Sequence, residues 1–366
     1  MNAVFYGFQF PHHGQFSAFS ALSSALADQG VVVRKFPLLN IPSYIPGRIC
    51  GMMTSGWFRA QETRLKSAFS RGDLVHYFFP ENSLFQAPKW KKNGSLVLSC
   101  HQPIEQLAEL RRQGALPHFF KGLEAADAVV LMASCELDAY RELAPNAEVL
   151  CIPHGVDTDF FCPGAAREEG RQFRILTVGN WLRDYDLWAQ VVGRVSVTSP
   201  DVEFSVLANP DQLAAALANL KSGRGKVRVL QGISDEQLRD EYRHADLIFI
   251  PLTNAWANNA LLEGMSCGRP VVATDLPAIR EYAGDAVRFI EKGEVDAAVD
   301  AIIELRRAGD ERELMGRQAR IRMENQFSWR HIAKQYLHLY AELAVCCAGE
   351  IRSAQTDLNK GESRCP

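Results

Sequence analysis

Two kinds of ligand-binding group stand close together near residue 260 of this 366-residue chain. Asn258, Asn259 and Ala260 open a stretch whose apolar side chains recur at helical spacing. The first backbone N–H groups of an α-helix lack intrahelical acceptors, so these donors and the helix dipole attract an anion. Glu263 follows about one turn later, where its carboxylate can accept hydrogen bonds from hydroxyl groups. The pattern predicts binding of a nucleotide or a phosphorylated sugar.

The elements that must position these groups are a strand before them and a helix that contains them. The apolar run Leu247–Pro251 predicts a buried strand, and a polar turn follows at residues 253–259. Gly268 is expected to end the helix, and Pro270 opens the next short apolar run. The order strand, turn, helix, strand is typical of a parallel sheet.

A purely structural interpretation of the same residues also stands. Asn is a common helix cap, and Glu in a first turn commonly interacts with the helix dipole while exposed to water. Both interpretations predict the same fold and differ only in whether a ligand binds there.

Residues 258–281 resemble the signature of the retaining group 1, or family 4, glycosyltransferases, which have the two-domain GT-B fold. The resemblance extends over nearly the whole chain and is strongest over residues 246–284. It implies that Glu263 holds the nucleotide ribose, while the amides that precede it meet the donor sugar and phosphates. Ala255 stands where the family usually has a Glu that contacts donor sugar hydroxyls, so the resemblance does not specify the sugar.

A glycine-containing loop follows the first predicted strand, residues 3–8. Gly14 precedes a predicted helix, where a backbone can approach an anion closely. The three spaced glycines of a dinucleotide fingerprint are absent, which gives nicotinamide or flavin binding little support. The resemblance implies that Gly14 faces the donor diphosphate and that His12 and His13 lie on the acceptor side. The alternative for both histidines is ordinary loop polarity.

His101 follows the apolar run of residues 96–100. Ligands of parallel sheets bind beyond the carboxyl ends of the strands, and a neutral imidazole there can hydrogen-bond a sugar hydroxyl. A structural His is the alternative. The resemblance favours a catalytic role, because the family commonly has a His here that orients the donor sugar.

The apolar pattern restarts at residues 174–179 and predicts a second sheet whose first loop carries Gly179, Asn180 and Arg183. The planar guanidinium of Arg183 could clamp a diphosphate, and the alternative is a surface ion pair with a neighbouring aspartate. The family usually has an Arg directly after the Gly and a Lys several residues later. Here those positions are Asn180 and Tyr185, so Arg183 would be a displaced substitute in catalysis and donor binding.

Gly232 and Ile233 follow another predicted strand, residues 227–230. By resemblance, the backbone of this loop reads the edge of the nucleotide base. Uracil, guanine and adenine remain open, with a UDP- or GDP-linked sugar as the expected donor and no cofactor.

The composition, 47% hydrophobic and 23% charged, suits a soluble protein with at least two cores. No apolar run approaches the ~20 residues that span a bilayer, and no signal peptide opens the chain, so a cytoplasmic protein is expected. The nine Cys show no metal-ligand spacing and predict reduced thiols and no metal site. Asp157 and Asp159 resemble a metal-binding pair of another transferase fold, but GT-B enzymes have no obligatory metal.

Positive charge is concentrated in residues 1–100, with ten Lys or Arg against four Asp or Glu in a chain of net charge −3. Basic residues lie next to aromatic ones at residues 56–59 and 89–92. This composition predicts contact with anionic lipid headgroups, hence a peripheral position on the inner face of the membrane, or with an acidic acceptor. A solvated basic face is the alternative. Nucleic acid is not expected, because no binding motif is present.

The fold class is therefore α/β, with two Rossmann-like, doubly wound parallel-sheet domains that face a cleft in the GT-B arrangement. The predicted segments are an acceptor-side domain (1–164), a nucleotide-sugar-binding domain (165–328), a helix that returns to the first domain (329–348) and a polar, disordered tail (349–366).

The sequence predicts a metal-independent, retaining glycosyltransferase of glycan biosynthesis, with a nucleotide-sugar donor and a glycan, lipid-linked or small-molecule acceptor. Two enzymatic alternatives are a sugar-nucleotide epimerase and a sugar-phosphate transferase on the same scaffold. A non-catalytic sugar-nucleotide-binding or scaffold protein is the alternative from another class, and Ala255 keeps it open.

Overall fold

The computed structural model describes residues 2–7, 16, 18–35, 56–91, 94–165, 172–220 and 226–361. The chain forms two compact units. Unit 1 comprises the described residues within 1–13, 19–153 and 332–366, and unit 2 those within 14–18 and 154–331. The predicted boundary at residue 165 lies inside unit 2.

Six strands and seven helices occupy the described residues up to 153. In chain order they are β1 (Asn2–Gly7), α1 (Ala18–Ala27), β2 (Val32–Lys35), α2 (residues 56–62), α3 (Leu65–Ser70), β3 (Leu74–Phe78), α4 (Pro80–Ser83), β4 (Leu96–Cys100), α5 (Ile104–Arg112), α6 (Pro117–Ala125), β5 (Ala128–Leu131), α7 (Leu137–Leu143) and β6 (Glu148–Cys151).

The described residues after 153 again alternate strands and helices. They form β7 (Arg174–Val178), α8 (Tyr185–Thr198), β8 (Glu203–Leu207), α9 (Pro210–Asn219), β9 (Lys226–Leu230), α10 (Asp235–His244), β10 (Leu247–Ile250), α11 (Asn259–Ser266), β11 (Val271–Thr274), α12 (Pro277–Ala283), β12 (Arg288–Ile290), α13 (Val295–Arg307), α14 (Gly309–Arg322), a π-helical turn (Met323–Phe327) and α15 (Trp329–Gly361).

Each unit is built on one six-stranded sheet, in the order β2-β1-β3-β4-β5-β6 in unit 1 and β12-β11-β10-β7-β8-β9 in unit 2. All ladder pairs between named strands are parallel, for example Ile175 with Leu247 and Ile175 with Phe204. Strands covered by helices on both faces must be apolar throughout. Accordingly, every residue of β3, β4, β5, β10 and β11 is buried.

Unit 2 changes the direction of its strand order between β7 and β10. These two strands are neighbours in the sheet although α8, β8, α9, β9 and α10 separate them along the chain. In doubly wound folds, the carboxyl ends of the strands at such a reversal are where ligands bind.

Helix α11 packs unusually close to the sheet and to α14. A Cβ on Gly264 would lie 3.0 Å from Ile248 of β10, and a Cβ on Gly316 would lie 2.3 Å from the carbonyl oxygen of Gly268. Gly268 has φ +67° and follows the last turn of α11, as predicted for the residue that ends this helix. The two close approaches fix the position of the helix whose first turn carries the predicted site.

The sequence prediction differs from the structure at the C-terminus. Residues 349–361, predicted to be a disordered tail, continue α15. Six of its thirteen residues are strong helix formers and none is Pro, so polarity alone does not prevent a helix. The sequence also predicts an irregular acceptor-side loop at residues 37–56, nearly all of which lies outside the described residues.

Candidate functional site

Asn258 caps α11 and connects it to the loop after β7. Its Oδ1 accepts the backbone N–H of Leu261 at 3.1 Å and the Nη2–H of Arg183 at 3.2 Å. The structural interpretation of Asn258 is therefore correct, yet it leaves the ligand-binding one intact. The N–H groups of Asn259 and Ala260 are still first-turn donors without intrahelical acceptors.

Arg183 forms a bridge between β7 and α11. Its Nε and Nη2 donate to the carbonyl oxygen of Val178 at 2.8 and 2.6 Å, in addition to the bond to Asn258. Asp184, a predicted surface partner, instead caps α8 by accepting the N–H of Leu187 at 2.8 Å. The guanidinium thus places a fixed positive charge beside the first turn of α11, which strengthens the anion-attracting field of the helix end.

Gly179 is required at the end of β7 for two reasons. Its φ of +110° is unfavourable for residues with a Cβ, and a Cβ would meet Nη2 of Arg183 at 2.8 Å. Asn180 links the loop to the segment after β8, because its Oδ1 accepts the backbone N–H of Asn209. The loop is therefore shaped around the guanidinium of Arg183.

Glu263 lies in the second turn of α11, and its Oε2 accepts the hydroxyl of Tyr242 at 2.8 Å. Burial raises the pKa of Glu263 to about 8, and Asp235 adds to this rise, while the Tyr242 hydrogen bond and the charge of Arg183 lower the pKa. A carboxyl group that titrates near neutral pH beside a helix end is a recognised feature of binding sites.

A small hollow borders α11 on the side that carries Asn259 and Glu263. It is lined by these residues and by Phe16, His154, Gly155, Val156, Phe161 and Leu262. A larger cavity of about 430 Å³ lies in unit 1 between α5 and α7 and contains no predicted site residue. The structure thus brings Gly179, Arg183, Asn258, Asn259, Ala260 and Glu263 together in one region of unit 2.

Gly232 and Ile233 form the loop between β9 and α10. Gly232 has φ +60°, and Ser234 and Gln237 form a capping box at the start of α10. β9 lies two strands from β7 in the sheet order. At about 4.8 Å per strand, this loop is about 10 Å along the edge from the loop of Gly179, a separation that a nucleotide can span.

His101 follows β4 in unit 1, as predicted. Its ring stacks on Phe79 with a centroid distance of 3.7 Å and an interplanar angle of 19°. Phe79 has φ +51°, a left-handed conformation that costs energy for a residue with a side chain. Strain of this kind persists where surrounding contacts enforce it, and here it presents an aromatic face to His101.

Glu81 is a functional candidate that the sequence interpretation missed. It is 6% exposed, and its Oε1 accepts the backbone N–H groups of His101 and Gln102 at 2.7 and 3.1 Å. Burial raises the pKa of Glu81 to about 7, against the lowering effect of these hydrogen bonds. An acidic residue directly after a buried strand, in the first turn opened by Pro80, was the available signal.

Two further side chains fix the backbone that follows His101. The hydroxyl of Tyr140 donates to the carbonyl oxygen of Gln102 at 2.7 Å, and Oε1 of Glu136 accepts the N–H of Ile104 at 3.0 Å. Together with Glu81, they hold residues 101–104 from α4, from α7 and from the turn that precedes α7.

Three predicted site residues, His12, His13 and Gly14, lie outside the described residues. Ala255, in place of the family's first Glu, is 7% exposed and belongs to the core of unit 2. Within the described part of the chain, no group of three His, Cys, Asp or Glu side chains could hold a metal ion. None of the helices in that part of the chain has a hydrophobic stretch that could span a lipid bilayer.

Comparison with known proteins finds a family match for much of unit 2. Residues 172–307 match the family described as glycosyl transferases group 1. The chain is 26% identical to an MMP α-(1→4)-mannosyltransferase of Mycolicibacterium hassiacum over 219 residues, which cover 57% of this chain and 53% of the relative. The alignment thus spans about half the length of that relative.

Solved structures match both units. Sucrose-phosphate synthase of Thermosynechococcus elongatus has a TM-score of 0.72 at 17% identity, and the match covers 94% of this chain and 99% of that one. Alr3699/HepE of Anabaena, solved with UDP-glucose, has a TM-score of 0.70 at 13% identity, with 93% and 100% covered. These matches confirm the predicted α/β fold of two parallel-sheet units. The match to glycosyl transferases group 1 is confined to residues 172–307 of unit 2, and the solved structures show that the chain has the GT-B fold.

Proposed function

We propose that the protein transfers a sugar from a nucleoside diphosphate sugar to a hydroxyl acceptor, which is a glycan, a lipid-linked saccharide or a small molecule. The observation that carries the proposal is the end of α11, where first-turn amides, the fixed charge of Arg183 and the carboxyl group of Glu263 adjoin. This combination suits a ligand with an anionic centre and neighbouring hydroxyl groups.

The donor is proposed to lie along the carboxyl edge of unit 2. Its diphosphate would bind the amides of Asn259 and Ala260, a ribose hydroxyl would donate to Glu263, and the base would contact the loop of Gly232 and Ile233. UDP-glucose is the first donor to test, because HepE was solved with it. A GDP sugar is the second, since backbone contacts to a base edge do not by themselves select uracil.

Charge stabilisation is the main catalytic contribution in this proposal. When the bond between the anomeric carbon and the phosphate oxygen breaks, its electron pair goes to the diphosphate. The helix end and Arg183 would stabilise that charge where it develops. We propose that no metal is required, and full activity after treatment with a chelator would support this part.

Retention of configuration is the second part of the proposal, and it follows from the family resemblance. The acceptor hydroxyl would attack the face that the diphosphate leaves, and a phosphate oxygen would take the acceptor proton. His101 would orient the donor sugar. The anomeric configuration of the product, read by proton NMR, decides between retention and inversion.

The main experiment titrates UDP- and GDP-sugars by calorimetry and then measures nucleoside diphosphate release with and without candidate acceptors. Binding together with acceptor-dependent release supports the proposal. Donor conversion without any acceptor would favour an epimerase. Binding without release would favour a non-catalytic sugar-nucleotide-binding protein, the second candidate, for which the apolar Ala255 is the specific observation.

A cytoplasmic site of action is proposed from the donor and from the thiols, because Cys100, Cys162 and Cys267 are free cysteines. Peripheral membrane contact is proposed from a basic cluster in unit 1. The guanidinium of Arg59 lies 5.2 Å from the ring centre of Phe85. Burial lowers the pKa of His118, and the positive charges of Arg59, Lys89 and Lys121 lower it further. Sedimentation with anionic but not zwitterionic vesicles, abolished by Arg59→Glu with Lys89→Glu, tests this contact.

A further inference from the structure

Trp181 is an exposed aromatic residue in the loop that follows β7. It retains 53% of its accessible surface, and it is the only aromatic among the large, exposed hydrophobic side chains of the described residues. Exposed Leu or Val side chains are ordinary, whereas a half-exposed Trp leaves a large apolar face in water. Such a face at a ligand-binding edge requires an explanation.

A second tryptophan supports Trp181 from the loop after β10. The ring centres of Trp181 and Trp256 are 5.9 Å apart and the planes are inclined by 30°, while Trp256 itself is 8% exposed. The indole Nε1 of Trp256 is buried and has no hydrogen-bond acceptor among the described residues. A buried donor without an acceptor is uncommon in a protein interior and is satisfied when a ligand or water oxygen binds.

The two loops that carry these rings are fastened to each other. The N–H of Thr253 donates to the carbonyl oxygen of Leu182 at 3.0 Å, the N–H of Asp184 donates to that of Pro251 at 3.1 Å, and Arg183 pairs with Leu252 in an antiparallel bridge. Leu182, directly after Trp181, has φ +58°. Backbone strain held by several hydrogen bonds gives Trp181 a fixed position rather than that of a freely moving surface residue.

The aromatic pair borders the proposed diphosphate site. Trp181 is two residues from Gly179 and two from Arg183, which contacts the N-cap of α11. The loop of Gly232 lies on the opposite side of β7, two strands away. A nucleotide whose base reaches that loop and whose diphosphate rests on α11 therefore extends its sugar toward the β10 side, where the tryptophans lie.

We infer that Trp181 is the platform on which the pyranose ring of the donor stacks, with Trp256 as its support. This inference rests on the proposed function and adds the subsite for the transferred sugar. The C–H bonds on one face of a pyranose carry partial positive charge and pack on the negative face of an indole. Ala255, next to Trp256, offers no polar side chain, so ring stacking supplies recognition that a carboxylate would otherwise provide.

The experiment compares each nucleotide sugar with its own free nucleotide by calorimetry, using UDP-glucose against UDP and GDP-mannose against GDP. For Trp181→Ala, we expect the affinity for the accepted nucleotide sugar to fall about tenfold, while the affinity for the free nucleotide changes less than about twofold. Trp181→Phe should retain most of the sugar-dependent affinity. Leu314→Ala is the matched control, since Leu314 is also an exposed apolar residue of unit 2.

Three results would overturn the inference. Equal losses for nucleotide and nucleotide sugar would assign Trp181 to the base or the phosphates. Unchanged affinity for both would remove it from the site. If the unaltered protein binds neither nucleotides nor nucleotide sugars, the proposed function fails, and the sugar platform fails with it. Thermal unfolding of Trp181→Ala should match that of the unaltered protein, because the side chain is half exposed.

Discussion

The segments that follow β3 and β4 in unit 1 and the start of α11 in unit 2 use their backbone N–H groups in opposite ways. In unit 1, three buried carboxyl groups accept such donors: Glu81 from His101 and Gln102, Glu136 from Ile104, and Glu62 from Phe85 and Gln86. In unit 2, the neutral amide of Asn258 caps α11, and a guanidinium stands beside it.

Because of this difference, the two units should differ in anion binding although their sheets have similar topology. Acidic side chains in unit 1 already satisfy the donors that would bind an anion, and any ionised carboxylate there would repel phosphate. Unit 2 leaves the first-turn amides of α11 to an anionic ligand and adds the positive charge of Arg183. The comparison predicts that the diphosphate binds unit 2, and that the turn of His101 in unit 1 suits neutral hydroxyl groups rather than an anion.

The largest effect is expected when the positive charge of unit 2 is removed. Arg183→Ala should weaken UDP-glucose binding about 100-fold, because the variant loses a charge and also the hydrogen bonds to Val178 and Asn258 that hold the N-cap. Arg183→Lys should recover only part of the affinity, since an ammonium group lacks the planar fork. Calorimetry at fixed ionic strength measures both variants.

Arg194→Ala is the control for that experiment. Arg194 lies on α8 in the same unit, is 52% exposed and pairs with Asp296, so its removal lowers the net charge equally without disturbing the N-cap. If both arginine variants weaken binding by the same factor, the effect is one of overall charge, and the proposed contrast between the two edges is wrong.

Much of the fold follows from the sequence pattern. The apolar runs that predict strands at 96–100, 174–179 and 247–251 correspond to β4, β7 and β10. Strands buried on both faces give continuous apolar runs, which are easy to distinguish from turns. The tail was predicted wrongly because polarity and disorder are separate properties, and its sequence retains helix propensity.

The site was harder to predict from the sequence, because the side chains that form it lie far apart along the chain. Glu263 was predicted from its position after Asn258, but nothing local indicates that Tyr242 bonds to it. Arg183 was predicted as a clamp on diphosphate, whereas its contacts to Val178 and Asn258 depend on β7 and β10 being neighbours. Local patterns identify such groups, and strand order determines their partners.

The next prediction tests unit 1 without altering the nucleotide site. Glu81→Ala leaves the N–H groups of His101 and Gln102 without their acceptor, so the turn that carries His101 should shift. We expect kcat for sugar transfer to fall about 30-fold while UDP affinity stays within about twofold, since the proposed nucleotide contacts lie in unit 2. Glu81→Gln keeps an acceptor oxygen and should recover most of the rate.

The side chain of Glu105, in the first turn of α5, is exposed and provides the matched control, and Glu105→Ala should leave the rate unchanged. A loss of UDP affinity in Glu81→Ala would contradict the division of roles between the edges. Equal rates in Glu81→Ala and Glu81→Gln would show that the acceptor oxygen does not position His101.

A smaller effect should appear in the pH dependence of donor binding. The pKa of Glu263 is about 8 in the empty site, so about one tenth of the protein carries the ionised form at pH 7. A ribose hydroxyl donates best to the ionised carboxylate, and UDP-glucose affinity should therefore rise up to about tenfold from pH 7 to 9. Glu263→Gln should give a flat profile. A flat profile in the unaltered protein would remove Glu263 from the nucleotide contacts.

The smallest effect concerns stability, and it distinguishes the buried carboxyl groups of the two edges by their pH windows. Each pKa is raised from about 4.5 in the unfolded chain, to about 7 for Glu81 and about 8 for Glu263. Between these values the folded protein binds a proton that the unfolded chain has lost, so stability falls as pH rises. The fall due to Glu81 should end near pH 7 and that due to Glu263 near pH 8.

In calorimetric scans, Glu81→Gln should reduce the loss of Tm between pH 5 and 7 by a few degrees and leave the loss between pH 7 and 8 in place. Glu263→Gln should remove the latter, and identical profiles for the two variants would refute the assignment of separate windows.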